Sequence, residues 1–197
     1  MDNLWNEVNI MAAIQQLLLI RATQKTYATW NPLDKNANVT LSNGNLTAAI
    51  STGTNVRSIV GVSTGKWYWE VHIDAGSMPF FVGVVTSSAA LNNHTGADAY
   101  GWGYYGYNGY KFHGGSNLGY GAAYLPGDTI GVALDMDSGA LTFYKNGASQ
   151  GVAFTGITGT LFAGLGIGTS GTFTYTANFG ATAFTYSPPS GYNAGLY

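Results

Sequence analysis

The sequence predicts an all-β protein, an antiparallel β-sandwich that follows a short N-terminal α-helix. Two observations support this fold class. Residues 1–24 contain neither Gly nor Pro, and their apolar residues recur at the three- and four-residue intervals of a helix face. From Trp30 onward, short apolar runs alternate with Gly, Asn and Asp turns at the spacing typical of sandwich strands.

The apolar stripe of the predicted helix has three ways to become buried. It can pack on the chain's own sandwich, on a second copy of itself or on a larger assembly. A short helix ahead of an all-β domain lacks an obvious groove of its own, so we expect an assembly role. Residues 1–25 are therefore predicted as a helical anchor or oligomerisation segment and residues 26–197 as the sandwich domain, with Met11 as an alternative start. The candidate assembly residues are Leu4, Val8, Met11, Ile14, Leu17 and Leu18.

The first strong strand signal is a two-residue period in KWYWEVHID, residues 66–74. Alternate side chains of a strand point to opposite faces. One face then carries Trp67, Trp69, Val71 and Ile73, and the other carries Tyr68, Glu70, His72 and Asp74.

The later strands follow from apolar runs and one turn signal. Residues 80–86 and 129–136 are more continuously apolar, which is typical of central strands. The run GALTFYKNGASQGVAF predicts a hairpin in which Leu141 and Phe143 point inward. Its turn is Asn146-Gly147, a dipeptide that accepts positive φ. Two further strands are expected in LFAGLGIG and TFTYTANFG.

Composition excludes several classes of function. Charged residues make up 8% of the chain, and the net charge is −2 without a basic cluster. Because nucleic-acid binding depends on clustered cations, we expect no nucleic-acid partner. The most apolar stretch, residues 10–20, is too short to cross a membrane and contains two Gln residues, so no membrane insertion is expected. The chain has no Cys, hence no disulfide or thiolate site.

Several motifs, in this order and spacing, resemble the SPRY family over about residues 30–195. They are GKWYWEV (65–71), VGVVT (82–86), the segment 100–115, GDTIGVALDMDSGALTFYKNGASQGVAF (127–154) and NFGATAFTYSPPSGY (178–192). The resemblance implies a bent sandwich of two antiparallel sheets, of the concanavalin-like jelly-roll kind. It also implies that loops bind proteins or peptides and that the fold has no shared catalytic site.

The Tyr-rich segment YGWGYYGYNGYKFHGG supplies the first candidate site. Residues 100–104 and 110–113 are predicted as strands, with 105–109 as the turn between them, and Trp102 is expected in the core. Tyr105, Tyr107 and Asn108 then lie near the tip of the turn. Tyr rings offer contact area at low rotamer entropy together with a hydroxyl, so this turn is a candidate partner-binding element. The alternative is a Tyr-rich surface without a role.

The polar segment SSAALNNHTGAD, residues 87–98, supplies the second candidate. It lacks strand or helix periodicity and lies where the SPRY family places one of its partner-binding loops. Asn92, Asn93 and His94 offer donors and acceptors without net charge, which suits a neutral ligand such as a sugar or a peptide backbone. The alternative is a solvated connection.

Motifs of enzyme chemistry are present but lack the context that they need. Ser63 lies in a G-x-S-x-G pattern but leads into a strand, whereas a nucleophile elbow needs a strand, a turn and a helix. The G-x-G-x-x-G match at residues 101–106 has no following helix to bind a phosphate. The three His residues show no metal-binding spacing. Asp135 and Asp137 fit a side-chain-capped turn better than a calcium loop.

We therefore expect no catalytic site, metal or cofactor, although Glu70, Asp98 and Asp128 could meet in space as paired carboxylates. The main hypothesis is a non-enzymatic bacteriophage virion protein, a tail or head appendage. Its N-terminal segment would dock to other virion proteins or to itself, and its sandwich would bind a host-surface glycan or protein. The alternative is a free SPRY-type adaptor that binds peptides through its loops. A third hypothesis is a glycan-active enzyme on a lectin-like sandwich.

Overall fold

The computed structural model describes residues 2–22, 24–51, 53–77, 80–168 and 170–197, without the side chains at positions 2–5 and 18–22. In this part of the chain one helix precedes fifteen strands. They are α1 (Asp2–Ala22), β1 (Trp30–Lys35), β2 (Val39–Ser42), β3 (Thr47–Ile50), β4 (Thr54–Val62), β5 (Lys66–Ala75), β6 (Phe80–Val85), β7 (Gly101–Tyr105), β8 (Tyr110–His113), β9 (Ser116–Gly119), β10 (Thr129–Asp135), β11 (Ala140–Lys145), β12 (Ala148–Phe154), β13 (Leu161–Ile167), β14 (Phe173–Asn178) and β15 (Asn193–Ala194).

The strands form two sheets that pack into a sandwich. The first sheet has the order β1-β4-β13-β6-β7-β8-β9, and the second has the order β12-β11-β10-β5-β14-β3-β2, with β15 added in parallel beside β5. The inner faces of both sheets contribute to one apolar core, in which Trp69, Val71 and Ile73 of β5 are buried with Leu141 and Phe143 of β11. The predicted fold class and the inward face of the β5 strand are confirmed.

The hairpin between β11 and β12 turns where the sequence predicts. Asn146 has a φ of 49° and Gly147 a φ of 79°, the positive values that a tight hairpin turn requires. The side chain of Asn146 also accepts a hydrogen bond from the backbone N–H of Thr129, at 2.9 Å. This bond fixes the turn against the start of β10.

Part of the outer face of β5 is buried as well: Tyr68 and Glu70 are covered, whereas Asp74 is exposed. The C-terminal segment crosses this face, and the ring of Phe184 meets that of Tyr68 edge-on, with centroids 5.2 Å apart. The Glu70 carboxylate accepts the backbone N–H groups of Thr185 and Tyr186, each at 2.8 Å. A buried carboxylate therefore holds the C-terminal segment across the second sheet.

The predicted N-terminal helix is present as α1. All described side chains between positions 6 and 17 are exposed, including the predicted assembly residues Val8, Met11, Ile14 and Leu17. The side chains of Leu4 and Leu18 lie outside the described residues. The described apolar side chains of α1 are therefore not buried against the sandwich. No helix in the described ranges combines the length and hydropathy needed to cross a bilayer.

Candidate functional site

An array of aromatic rings lies on the outer face of the first sheet. Val82 and Val84 of β6 point into the core, so the alternation of the strand turns Phe81 outward. The Phe81 ring stacks on His94 on one side, with centroids 4.1 Å apart, and on Tyr105 on the other, at 4.5 Å. Stacked rings at this spacing attract one another beyond their burial.

Two more rings extend this array to the solvent. Phe112 of β8 meets the rings of Phe81, His94 and Tyr105 edge-on, with centroids 5.2 to 5.5 Å apart. Tyr107 lies 6.1 Å from Tyr105 and is the most exposed member. We call these five residues the aromatic array: Phe81, His94, Tyr105, Tyr107 and Phe112.

The loop of residues 87–98 lies flat against the first sheet because glycines leave room for it. A Cβ on Gly166 of β13 would lie 2.8 Å from the backbone N of Thr95, and one on Gly103 of β7 would collide with the Thr95 carbonyl. Only glycine permits such an approach of one backbone to another. The loop therefore brings His94 onto the sheet.

Polar side chains hold this loop in place. Arg57 of β4 is buried and donates to the carboxylate of Asp34, at 2.5 Å, and to the Ala89 carbonyl. The Asn55 backbone N–H donates to the Leu91 carbonyl at 3.0 Å. The Asp98 carboxylate accepts the N–H groups of Ala90 and Tyr100, each at 2.9 Å. The segment is thus an ordered element rather than a loose connection.

The array carries no formal charge when His94 is neutral. Burial lowers the pKa of His94, against smaller raising effects of the Thr95 carbonyl and of Asp98. Its Nδ1 lies 3.2 Å from the Thr95 carbonyl, which can only accept, so the neutral ring is protonated at Nδ1 and Nε2 remains an acceptor. The nearby cation Lys111 turns to the other side of the sheet, where it donates to the Ala153 carbonyl.

The structure unites the two sites that the sequence suggests separately. His94 belongs to the loop, Tyr105 and Tyr107 to the Tyr-rich segment, and Phe81 joins them. Asn92 and Asn93 lie exposed beside His94, and Asn93 Oδ1 accepts the His94 backbone N–H at 2.9 Å.

The structure refines the expectation for the Tyr-rich segment in three details. Tyr105 is the last residue of β7 and not part of the turn. Asn108 lies in the turn, and its Oδ1 accepts the Tyr110 N–H at 3.2 Å, which is the turn-stabilising role of an Asx side chain. Trp102 is only partly buried, packing against the core and stacking on His113 with centroids 4.6 Å apart.

Phe81 and Phe112 were missed by sequence reasoning. Residues 80–85 form an unbroken apolar run because both faces of β6 are covered, one by the core and one by the array. An unbroken run hides which residues point outward. No sequence signal marks Phe81, because its pairing with Tyr105 in the neighbouring strand β7 is visible only in the structure.

The carboxylates that could have met as a catalytic pair are used separately. Glu70 holds the C-terminal segment, and Asp98 holds the loop. Asp128 accepts the Leu125 N–H at 2.8 Å and the Asn146 side-chain amide at 2.6 Å. Asp135 accepts the N–H groups of Asp137 and Ser138, which is a capped turn. Within the described residues, no group of three or more His, Asp or Glu could hold a metal ion.

Two antiparallel sheets and a loop laid across an outer face define the class of protein, the antiparallel β-sandwich domains. Within this class, the chain belongs to the SPRY domain family, whose sequence model matches residues 66–182.

Relatives and solved structures agree with this assignment. Ran-binding protein 9 of Xenopus laevis is 31% identical over 169 residues, covering 80% of this chain and 31% of the relative. The Ran-binding proteins 9/10 homolog of Drosophila melanogaster is 28% identical over 80% of this chain and 18% of its own length. The chain therefore spans less than a third of these relatives. The SPRY domain of human HERC1 shares the fold, with a TM-score of 0.65 at 22% identity, over 75% of this chain and 96% of that domain.

The expectation of a bacteriophage virion protein, with a virion location and virion partners, is wrong. Its relatives include Ran-binding proteins of animals, among them those of Xenopus laevis, Homo sapiens and Drosophila melanogaster. These relatives favour the alternative hypothesis, a free SPRY-type interaction module.

Proposed function

We propose that this chain is a non-enzymatic protein-interaction module whose aromatic array binds an uncharged segment of a partner polypeptide. Residues 26–197 form the interaction domain, and residues 1–25 are a separate segment. Membership of the SPRY family and relatives named Ran-binding proteins support a binding role. Purified Ran is therefore one defined partner to test.

The observation that carries the proposal is the continuity of the array from buried to exposed rings. Phe81 is buried between two stacked rings, whereas Tyr107 is exposed at the end of the array. A partner side chain that covers Tyr107 and Tyr105 extends an existing stack and loses little rotamer entropy on the protein side. The tyrosine hydroxyls and His94 Nε2 offer hydrogen bonds at the rim.

The absence of formal charge on the array defines the kind of segment that it binds. A charged side chain would lose hydration on this apolar surface and find no opposite charge in the array to compensate. Exposed Asn92 and Asn93 border the array with neutral amides, which pair with backbone N–H and C=O groups. We therefore expect peptides with aromatic, proline or aliphatic anchors and few charges.

The non-enzymatic part of the proposal is supported by how the candidate catalytic groups are used. The carboxylates of Glu70, Asp98 and Asp128 each accept backbone N–H groups, and they do so in three different parts of the fold. Ser63 lies in the short connection between β4 and β5 and not in a strand-to-helix turn.

A peptide-display selection on the immobilised chain tests the proposal. We expect the selected peptides to be uncharged, and to bind at least tenfold more weakly to the double variant Tyr105→Ala/Tyr107→Ala, measured by fluorescence polarisation. The matched control is Tyr100→Ala, which removes an exposed ring at the opposite end of β7. Binding of peptides or Ran that both variants leave unchanged would place the interaction elsewhere.

A further inference from the structure

The strand β9 ends the first sheet and presents backbone groups to solvent along its outer side. It is joined to β8 by the two-residue turn 114–115, whose φ values are 60° and 73°, so His113 and Ser116 form the hydrogen-bonded closing pair. Hydrogen-bonded and non-hydrogen-bonded pairs alternate along an antiparallel ladder. The N–H and C=O groups of Asn117 and Gly119 are therefore directed away from β8, where an added strand would bind them.

A cavity of about 160 Å³ adjoins this edge, where β9 and β12 end the two sheets. Its lining includes Lys111 of β8, Leu118 of β9 and Phe154 of β12. Lys111 and Leu118 are cross-strand partners, and both lie on the inner side of the first sheet, because Lys111 also pairs with the core residue Tyr104. The cavity therefore lies beside the open edge, on the inner side of the sheet.

Lys111 gives this cavity a positive charge that no carboxylate of the described residues balances with an ion pair. Its Nζ donates to the Ala153 carbonyl and lies 5.2 Å from the centre of the Phe154 ring and 6.0 Å from that of Tyr120. Cation–π contacts at these distances hold the ammonium group in place without neutralising it. An ammonium group has three N–H donors, and the carbonyl takes one of them. Two donors therefore remain for an acceptor in the cavity.

We propose that β9 takes up an extended segment of a partner polypeptide as an additional strand, and that a glutamate of this segment pairs with Lys111 in the cavity. Recognition by strand addition combines backbone hydrogen bonds with a pocket for a side chain. When two residues of the segment lie opposite Asn117 and Gly119, the residue between them lies opposite Leu118, in the same cross-strand row as Lys111. Lys111 is then two strands away, about 10 Å, which the lysine and glutamate side chains span together.

The charge of Lys111 favours a partner with an acidic residue over a second copy of the same edge. The sequence of β9 is SNLG, so two paired β9 strands would leave both Lys111 side chains without a carboxylate. The site uses neither Tyr105 nor Tyr107, so it goes beyond the proposed function and can fail independently of it. A contact with a four-residue edge is expected to be weak by itself, with a Kd of about 1 mM.

NMR titration with short capped peptides tests the strand addition. The probe acetyl-Thr-Val-Glu-Val-Thr-amide should shift the amide signals of Asn117 and Gly119 with a Kd of about 1 mM. The same peptide with both Val residues N-methylated lacks the N–H groups that would bind the edge, and it should not bind. Unshifted Asn117 and Gly119 signals at about 10 mM peptide, or equal binding of the N-methylated peptide, would overturn the strand addition.

A second pair of peptides and two Lys variants test the charge pairing. Replacing the Glu of the probe by Gln keeps its shape, and we expect about two- to fivefold weaker binding, the scale of an exposed ion pair. Lys111→Met keeps the apolar stem and removes the ammonium group, so it should bind both peptides equally. The matched control is Lys35→Met, since Lys35 also donates to a backbone carbonyl, that of Val39 at 2.7 Å, but at the opposite edge of the sheet.

The control variant should keep the preference for the Glu peptide, and so should Tyr105→Ala/Tyr107→Ala, which disables only the aromatic array. A preference that survives in Lys111→Met, or that is lost in Lys35→Met, would overturn the pairing with Lys111. Broadening of the Asn117 and Gly119 signals as the concentration of the chain itself rises would show that a second copy occupies the edge, and would also overturn the proposal.

Discussion

At the scale of single residues, Phe81 makes one surface out of two segments that are distant in sequence. Its ring contacts His94 from the loop on one side and Tyr105 from β7 on the other. The sequence indicates both segments because polar and Tyr-rich turns are locally visible. It does not indicate their contact, because that contact depends on which side of β6 each residue faces.

His94 makes the stability of the domain sensitive to acid. Burial lowers the pKa of His94 below its usual 6.5, so the folded state binds this proton more weakly than the unfolded chain. Its contribution is therefore intact above pH 6.5 and is lost as the pH falls towards the lower pKa of the folded state. We expect the free energy of unfolding, from urea titrations between pH 7.5 and 5, to fall more steeply in the wild type than in His94→Phe. Equal slopes would contradict this assignment.

Thr95 lies next to His94 in the loop of residues 87–98, and its substitution is expected to stabilise the domain. Its side chain is fully buried, and its hydroxyl has no hydrogen-bond partner among the described residues. Thr95→Val keeps the shape and removes the unpaired hydroxyl, so we expect a gain of about 1 kcal/mol in unfolding free energy. The matched control is Thr47→Val, since the Thr47 hydroxyl lies 2.9 Å from that of Thr176. That control should lose about 1 kcal/mol, and stabilisation by both would contradict the explanation.

At the scale of elements, β5 shows how far periodicity reaches. The inward face of Trp69, Val71 and Ile73 could be predicted because alternation is a local property of a strand. The burial of Tyr68 and Glu70 on the outer face could not be predicted, because it depends on a segment 115 residues further along the chain. A polar residue on the outer face of a strand does not indicate whether water or another segment covers it.

The attachment of the C-terminal segment to β5 depends on the Glu70 carboxylate. Removing its carboxylate leaves two backbone N–H groups without their acceptors, and hydrogen bonds to a charged group are the stronger kind. We expect Glu70→Ala to lower the unfolding free energy by about 2 kcal/mol or more. Hydrogen exchange at the Thr185 and Tyr186 amides should accelerate. Glu70→Gln retains one acceptor oxygen, so its stability and exchange rates should fall between those of the wild type and Glu70→Ala. Unchanged exchange in Glu70→Ala would show that other contacts hold the segment.

At the scale of the whole molecule, the fold was predictable and the biological setting was not. Strand spacing, the Asn146-Gly147 turn and the family motifs each follow from local chemistry that the sequence displays. The low charge and the lack of Cys characterise the surface of the protein, and the N-terminal helix characterises a segment appended to the sandwich. These features do not separate a particle component from a cellular binding domain, because both kinds of protein satisfy the same physical constraints.

The last prediction concerns the boundary between the helical segment and the sandwich domain. The described side chains of positions 6–17 are exposed, and Lys25 meets the sandwich through an exposed hydrogen bond to the Tyr197 hydroxyl, at 2.6 Å. Because an exposed contact of this kind contributes little, deleting residues 1–25 should leave the melting temperature within about 2 °C of the full chain. Deleting residues 1–28 also removes Tyr27, whose ring meets Tyr197 edge-on at 5.5 Å, and buried Ala28, whose N–H donates to the Leu196 carbonyl at 2.7 Å.

We expect this longer deletion to cost about 2 kcal/mol, which lowers the melting temperature by about 4 to 8 °C in a domain of this size. Differential scanning calorimetry of the two truncated chains distinguishes the outcomes. If the shorter deletion already melted several degrees lower, α1 would pack on the sandwich and the domain would begin earlier. If both truncated chains melted together with the full chain, the segment before β1 would contribute nothing to the fold, and the boundary would lie beyond residue 28.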